Sequence, residues 1–225
     1  RRKYTRRNNN NRGNVIIAGQ RPSVQRGYLP FGPKYFAKLP YVDNSFITAL
    51  GAPGVTSVNT SFSANNVYDP RYTVGGHQPL QYDILASHYQ RVWVWGCAVT
   101  LEFTNPTTDG VYVGYRVRAD TNTVATAGRE LSHVQEMRDA ACRPINNSGS
   151  QHTTFKFYVN NPRAIGITKA QYSSFEYSHP TTTNPSRYVF IEPFALATAE
   201  DCAIRVNIKC TYYCQFSDPI SELTN

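Results

Sequence analysis

A strict alternation of apolar and polar residues near the carboxyl end most constrains what this 225-residue chain can fold into. In the segment AIRVNIKCTYYCQF, every second residue is apolar: Ile204, Val206, Ile208, Cys210, Tyr212, Cys214 and Phe216. Successive side chains of a β-strand point to opposite faces, so a period of two predicts one long strand with one face buried.

The same period recurs along the chain. VYVGYRVRAD alternates from Val111 to Val117, and in RVWVWGCAVTLEF one predicted face consists of Trp93, Trp95, Cys97, Val99, Leu101 and Phe103. Weaker strands are predicted in FAKLPYVDNSFI, VTSVNTSFSANNVY, HTTFKFYVNN, AIGITKAQYSSFEY and SRYVFIEPF. About eight strands with few helices predict an all-β fold, for which a single antiparallel eight-stranded jelly roll is preferred to other β-sandwiches.

Two short helices and several turns are predicted between these strands. The helices are PLQYDILASHY, with Leu80, Ile84, Leu85 and His88 on one side, and GRELSHVQEMRDAAC. Asn105-Pro106, Asn161-Pro162 and His179-Pro180 are dipeptides that favour turns.

Positive charge is concentrated at the start of the chain. The sequence has 23 Lys and Arg against 15 Asp and Glu, yet ten of these cations precede Asp43, which is the first acidic residue. The remainder has 13 cations against 15 acids and is nearly neutral. We therefore divide the chain into a basic arm at residues 1–38 and a folded β-domain at residues 39–225, the arm being too rich in Asn, Gly and Pro to hold a fixed fold alone.

The arm is expected to bind a polyanion. A run of charge can be no more than a solvated segment, but here acids are excluded and arginine, which matches phosphate geometry, dominates. Interleaved aromatic rings can stack on unpaired bases, whereas an anionic lipid surface would favour an amphipathic apolar face that the arm lacks. The predicted nucleic-acid-binding residues are Arg1, Arg2, Lys3, Tyr4, Arg6, Arg7, Arg12, Arg21 and Arg26.

No catalytic or metal-binding pattern stands out in the sequence. It contains no phosphate-binding loop, dinucleotide fingerprint or serine elbow, and its five histidines lack metal spacing. The sequence has no run of about 18 apolar residues, so it predicts no membrane-spanning helix. We therefore expect no enzymatic activity, no metal, no cofactor and no membrane partner.

The five cysteines are predicted to be free thiols. Cys210 and Cys214 lie on one predicted strand, where four steps of ~3.3 Å separate them by ~13 Å. A disulfide needs Cα atoms within ~7 Å, so these two residues cannot pair while the strand is intact. An odd number of cysteines is typical of a reducing compartment.

A stretch at residues 75–103, GGHQPLQYDILASHYQRVWVWGCAVTLEF, contains a Gly-x-Gln-Pro element, an aromatic-Asp pair, a Tyr, and a strand with Val-x-Gly that ends near Phe. The residues at these positions are Gly76, Gln78, Pro79, Tyr82, Asp83, Tyr89, Val94, Gly96 and Phe103. In this pattern the chain resembles the capsid proteins of small circular, Rep-encoding single-stranded DNA viruses, the circovirus-like group. It departs from them at Ile84 and Leu85, where many relatives carry Trp or Met.

The resemblance implies a particular assembly and location. Residues 39–225 would form a jelly-roll shell domain, and sixty copies of it would build an icosahedral T=1 shell. The shell would assemble in the host nucleus and would be the coat of the virion. The basic arm would lie inside, where its extended length of up to ~130 Å could reach a single-stranded DNA genome.

Three other functions remain open from the residues alone. One is a β-domain that binds single-stranded nucleic acid without forming shells, which would expose aromatic residues on a sheet face. Another is the capsid protein of a small RNA virus, because an arm that contacts phosphates barely distinguishes the two sugars. The third is an extracellular trimeric receptor ligand, which would have no use for the basic arm.

Replacing the six cations of the first twelve residues with Gln tests the predicted role of the arm. If all six contact phosphates of one strand, the slope of log affinity against log salt weakens by ~4, from ~0.7 per phosphate. Nitrocellulose-filter binding across a salt series measures this slope. Replacing Asn8, Asn9, Asn10 and Asn11 with Ser is the control and should change little. An unchanged slope in the six-Gln variant would mean that the arm does not bind the nucleic acid.

Overall fold

Nine strands form two antiparallel sheets in the computed structural model, which describes residues 32–51, 54–73, 75–120, 126–145 and 151–220. The strands are β1 (Lys34–Ala49), β2 (Phe62–Ser63), β3 (Tyr89–Asn105), β4 (Val111–Asp120), β5 (Ala140–Ile145), β6 (Gln151–Asn160), β7 (His179–Pro180), β8 (Tyr188–Ala197) and β9 (Cys202–Pro219). The larger sheet has the order β1–β9–β3–β6, with β7 beside one end of β3, and the smaller has the order β2–β8–β4–β5.

The connections between the strands are those of a jelly roll. The chain changes sheet at almost every step, from β1 to β2, from β2 to β3 and from β3 to β4, and later from β8 to β9. β4 and β5 follow each other within the smaller sheet, and β6 and the two-residue β7 both belong to the larger sheet. Apart from the two-residue β7, this is an eight-stranded double sheet, so the predicted fold class is confirmed.

The helices of the described residues are short. They are α1 (Tyr82–Ala86), α2 (Leu131–Glu136), α3 (Asn161–Ile165) and α4 (Lys169–Tyr172). The Asn160 side chain caps α3 and a capping box formed by Thr168 and Gln171 starts α4. The side chain of Asn161 donates hydrogen bonds to the carbonyls of Ala64 and Val94. These bonds connect the start of α3 to the residue that follows β2 and to β3.

The core lies between the two sheets, and β9 supplies one of its largest parts. All seven apolar residues of the predicted inner face, from Ile204 to Phe216, are buried, which confirms that face. They pack with the inner residues of the other strands, including Leu39, Tyr41, Ile47, Val99, Leu101, Phe103, Val111, Val113, Val189 and Ile191. Because β9 is paired over its length with both β1 and β3, this face also fixes the register of its neighbours.

The predicted inner face of β3 is wrong before residue 96, because the strand contains a β-bulge. The pairing with β9 shifts between Val94 and Gly96, so the alternation changes side there. Val92 and Val94 are therefore buried on the inner side, whereas Trp93 and Trp95 turn toward the α4 segment, where Trp93 Nε1 donates to the carbonyl of Ser174. The prediction holds after the bulge, from Cys97 to Phe103.

Several weaker secondary-structure predictions were wrong. AIGITKAQYSSFEY forms α3, α4 and a 3-10 turn instead of a strand, and VTSVNTSFSANNVY contains only the two-residue β2 and isolated bridges. The predicted second helix ends at Glu136, and the last residues of the predicted segment, from Ala140 onward, belong to β5. In α1 the buried residue is Tyr82, whereas Ile84 of the predicted apolar side is 62% exposed.

The predicted boundary between the arm and the β-domain falls inside a strand. β1 begins at Lys34, so residues 34–38 of the predicted arm pair with β9 from Ser217 to Tyr213. All five cysteines are free, as predicted. Cys97, Cys202, Cys210 and Cys214 are buried, and burial raises the pKa of the Cys142 thiol to about 11.

The outer face of the smaller sheet is covered along β8. Phe190, Glu192 and Phe194 point away from the core, yet none has any exposed surface. The Glu192 carboxylate accepts hydrogen bonds from Arg118 Nε at 2.9 Å and from the Thr126 hydroxyl. A buried carboxylate needs such partners, because an unpaired charge in the interior is strongly unfavourable.

The outer edge of β1 is also occupied over much of its length. Pro40 offers no N–H, and the carbonyl of Val42 accepts a hydrogen bond from His77 Nε2 at 2.9 Å. The N–H groups of Asn44 and Thr48 donate to the side chains of Asp43 and Asn59. A free edge strand is a template for unwanted strand pairing, so these contacts limit aggregation through β1.

Replacing Ile208 with Asp should unfold the sandwich. The side chain of Ile208 is fully buried, and Asp43 and Leu101 lie opposite it on the flanking strands. An unpaired carboxylate there should lower the free energy of unfolding by ~4 kcal/mol or more. The unfolding midpoint in urea measures the loss. Thr211→Asp, on the opposite face of the same strand, is the control and should change it little; equal stability of both variants would mean that the face is misassigned.

Candidate nucleic-acid interface

The predicted arm residues lie outside the described residues. They are Arg1, Arg2, Lys3, Tyr4, Arg6, Arg7, Arg12, Arg21 and Arg26. The described residues offer a second candidate surface, which is the outer face of the larger sheet.

We call this surface the open face and define it by eighteen of the side chains that point away from the smaller sheet on β1, β9, β3 and β6. Its residues are Lys38, Pro40, Val42, Asn44, Phe46, Arg205, Asn207, Lys209, Thr211, Tyr213, Ala98, Thr100, Glu102, Thr104, His152, Thr154, Lys156 and Tyr158. Each of these residues is exposed or half-buried, whereas Phe190, Glu192 and Phe194 on the outer side of β8 are fully buried.

Cations outnumber acids on the open face. Lys38, Lys156, Arg205 and Lys209 carry four positive charges, and Glu102 carries the one negative charge among these residues. Lys209 and Lys156 lie in one row with Thr100 between them, so their Cα atoms are about 10 Å apart. Arg205 is four residues from Lys209, or about 13 Å along β9. Cations at these spacings can contact separate phosphates of one strand.

Glu102 is already neutralised by its neighbours. Its carboxylate accepts hydrogen bonds from Lys209 Nζ at 3.0 Å and from Asn207 Nδ2 at 2.8 Å. The Lys209 hydrogen bond, with a smaller contribution from Asn207, holds the pKa of the Glu102 carboxyl below its usual value. The carboxylate therefore remains charged at neutral pH and fixes Lys209, while Lys38, Lys156 and Arg205 form no salt bridge within the described residues.

Aromatic rings lie among these cations. Lys38 Nζ is 5.4 Å from the ring centre of Tyr213, and Arg205 lies 5.5 Å from the ring centre of Phe46. Both pairs are within the range of cation–π attraction. Phe46 is 57% exposed, so its ring is available to a further partner on this face.

Tyr158 lies flat across the sheet because the neighbouring strand has a glycine beneath it. A Cβ on Gly96 would stand 2.1 Å from the Tyr158 hydroxyl oxygen, so no larger residue fits at position 96 without moving the ring. Tyr213 contacts Tyr158 edge to face, with ring centres 5.9 Å apart. Burial raises the pKa of the Tyr158 phenol, which therefore remains neutral at physiological pH. The two rings form an aromatic platform on the open face.

This combination suits a single strand of nucleic acid. Spaced cations can neutralise phosphates, and exposed rings can stack on bases that are not paired in a duplex. Of the residues that the structure describes, no group of three His, Cys, Asp or Glu is placed to hold a metal ion. Within the same residues, no helix has the length and hydropathy to cross a membrane.

Sequence reasoning missed Lys156, Arg205, Lys209, Tyr158 and Tyr213 as candidate binding residues. The signal was present in the alternation of β9, which places Arg205, Lys209 and Tyr213 on its polar face. What the sequence lacks is the neighbour of that face. Only the pairing of β9 with β3, and of β3 with β6, brings Lys156 and Tyr158 to it.

Comparisons by sequence give no relative. No protein-family model matches the chain, and no curated protein matches it.

Comparisons by structure find viral capsid proteins and virus particles. The structure of the T=3 Penaeus vannamei nodavirus aligns with a TM-score of 0.50 at 11% identity, covering 100% of this chain and 67% of that chain. The decameric BFDV capsid protein aligns with a TM-score of 0.46 at 13% identity, covering 82% of this chain and 99% of the other. The 60-mer BFDV capsid protein aligns at 0.43 and 13%, covering 87% and 100%. The Penaeus vannamei nodavirus structure, at 11% identity, supports the jelly-roll fold alone.

A double variant tests the charges of the open face. Replacing Lys156 and Arg205 with Gln should weaken the slope of log affinity against log salt by ~1.4, from ~0.7 per lost phosphate contact. Fluorescence anisotropy of a labelled single strand measures it. The control removes two exposed arginines elsewhere, Arg129→Gln with Arg187→Gln, and should leave the slope nearly unchanged. Equal slopes in both double variants would rule out this face as a phosphate-binding surface.

Proposed function

We propose that the chain is the coat protein of a small circular single-stranded DNA virus. In this proposal, copies of the jelly roll form a closed icosahedral shell of sixty subunits. The basic arm and the open face bind the packaged genome, and the chain has a structural role without catalysis.

The observation that carries the proposal is the difference between the two outer faces of the sandwich. The smaller sheet is covered along β8, where Phe190, Glu192 and Phe194 are fully buried. The larger sheet presents cations and aromatic rings instead. A shell subunit needs one side that faces the genome, and a cationic, aromatic face is suited to that side.

The charge of the arm supports the same proposal. The arm leads directly into β1, which is an edge strand of the larger sheet. Of the ten cations before Asp43, the last two, Lys34 and Lys38, lie in β1 itself. The arm and the open face would act on the same polyanion, and the one acidic residue of the open face, Glu102, is paired with Lys209.

Single-stranded DNA is proposed as the genome on two grounds. Exposed rings favour unpaired bases over a duplex, in which the bases are stacked on one another. The pattern of residues 75–103 resembles the capsid proteins of circular single-stranded DNA viruses. By the same resemblance we propose assembly in the host nucleus, for which the Lys- and Arg-rich start of the arm could serve as an import signal.

Expression of the full chain tests the assembly. We expect uniform spherical particles by negative-stain electron microscopy, with an absorbance spectrum that shows nucleic acid and with nuclease sensitivity that appears only after the particles are opened. Variant Ile208→Asp should give no particles. A protein that binds nucleic acid strongly but stays monomeric would contradict the shell and favour a non-shell binding domain.

A competition experiment tests the genome class. Particles are assembled in a mixture of circular single-stranded DNA and single-stranded RNA of the same length, and the protected strand is identified with DNase and RNase. Recovery of DNA is the expected result. Exclusive recovery of RNA would contradict this part of the proposal and identify the coat protein of an RNA virus.

A further inference from the structure

A cavity of about 430 Å³ opens beside the open face, at the edge of the sandwich where β4, β6 and α3 meet. Its walls include the aromatic residues Tyr115, Phe157 and Tyr158, and two arginines, Arg138 and Arg163. Its volume lies within the range of about 300–1,000 Å³ that is usual for small-molecule sites.

The aromatic wall of the cavity is held in place by its own packing. The rings of Tyr115 and Phe157 are stacked, with centres 3.8 Å apart and an interplanar angle of 4°. Phe155 contacts the Tyr115 ring edge to face at 5.3 Å. Burial raises the pKa of the Tyr115 phenol, so this wall is uncharged at neutral pH. A flat and neutral wall of this kind is suited to a planar ring.

The charged residues of the cavity carry a net positive charge. Arg163 is exposed on α3 and forms no salt bridge within the described residues. Arg138 pairs with Asp139, whose Oδ2 is 3.2 Å from its Nε. Asp139 adopts a left-handed conformation with φ of 59°, and its carbonyl accepts a hydrogen bond from the N–H of Val117. The turn that carries Arg138 is thereby anchored to β4.

Tyr158 connects the cavity to the open face. It lines the cavity, and its ring also lies across Gly96 and contacts Tyr213. A single strand of nucleic acid that lies on the aromatic platform could therefore continue into the cavity and stay in contact with the protein.

We propose that this cavity is a nucleotide subsite. It takes the base of one nucleotide of a single strand bound to the open face, and Arg163 contacts the phosphate of that nucleotide. The inference rests on the proposed function, since the strand must first lie on the open face. The site combines a planar aromatic wall with a guanidinium at its mouth, and a nucleotide combines a planar base with an anion.

The test uses a single-stranded oligodeoxythymidylate of about 12 nucleotides with one 2-aminopurine, whose fluorescence changes when the base is stacked in an aromatic site. Binding to the full-length chain is measured by that fluorescence and, separately, by the anisotropy of a labelled end. Arg163→Gln removes the phosphate contact, and Ala164→Phe fills the cavity without a change of charge. Arg187→Gln removes an exposed arginine outside the cavity and is the matched control.

We expect Arg163→Gln to weaken the binding reported by 2-aminopurine about tenfold, and Ala164→Phe to abolish the fluorescence change, while anisotropy still shows binding. Arg187→Gln should stay within about twofold of the parent protein. Should Ala164→Phe fail to fold, Arg163→Gln alone decides, because its side chain lies in solvent.

Other outcomes separate the subsite from the proposed function. An unchanged fluorescence response in both cavity variants, with affinity still lost in Lys156→Gln/Arg205→Gln, would overturn the subsite and leave the proposed function intact. Loss of shell assembly in Ala164→Phe with an unchanged fluorescence response would assign the cavity to a second copy of the chain and also overturn the subsite. If no variant of the arm, the face or the cavity alters binding, the proposed function itself fails.

Discussion

The pairing of β9 with a strand on each side is the constraint on which the rest of the structure depends. Every residue of β1 from Lys34 to Ala49 has a partner on β9, and β3 pairs with the other edge of β9 from Tyr89 to Thr104. Because the inner face of β9 is apolar throughout, a slip of one residue would move seven buried side chains into water. The same register places Arg205, Lys209 and Tyr213 on the opposite face, so the core and the candidate interface are set by one alternation.

The outer faces of the two sheets differ in how far they are covered, so the two sides of the sandwich are chemically distinct. The smaller sheet is sealed on its outer side around Glu192, whose buried carboxylate is held by Arg118 and Thr126. The larger sheet keeps cations and rings at its surface, and the glycine at position 96 lets Tyr158 lie flat on it. In a shell, a subunit with one face covered along β8 and one cationic face can orient itself toward a polyanion without a separate binding domain.

The sequence predicts the fold class and the inner face of β9. Seven apolar residues at a period of two all lie on one face of a strand, and that face must be buried. Prediction from the sequence pattern is wrong where contacts between distant residues override the local alternation. The bulge at Val94 and Gly96 reverses the faces before it, and the carbonyl of Val94 is instead bound by Asn161 and Tyr172, which are distant in sequence. Residues 164–177 alternate like a strand, but Thr168 and Gln171 form a capping box that starts α4. The candidate interface was not predicted because it is made by neighbours across strands, whereas the predicted arm residues remain a prediction.

The orientation of the subunit in an assembled particle tests the central claim most directly. A cryo-electron microscopy map of particles that contain nucleic acid would show which face of the jelly roll lines the interior. We expect the open face to line it, with nucleic-acid density against Lys156, Arg205 and Tyr213. A particle in which this face points to the outside, or is buried between subunits away from nucleic acid, would rule out the open face as the genome-binding surface.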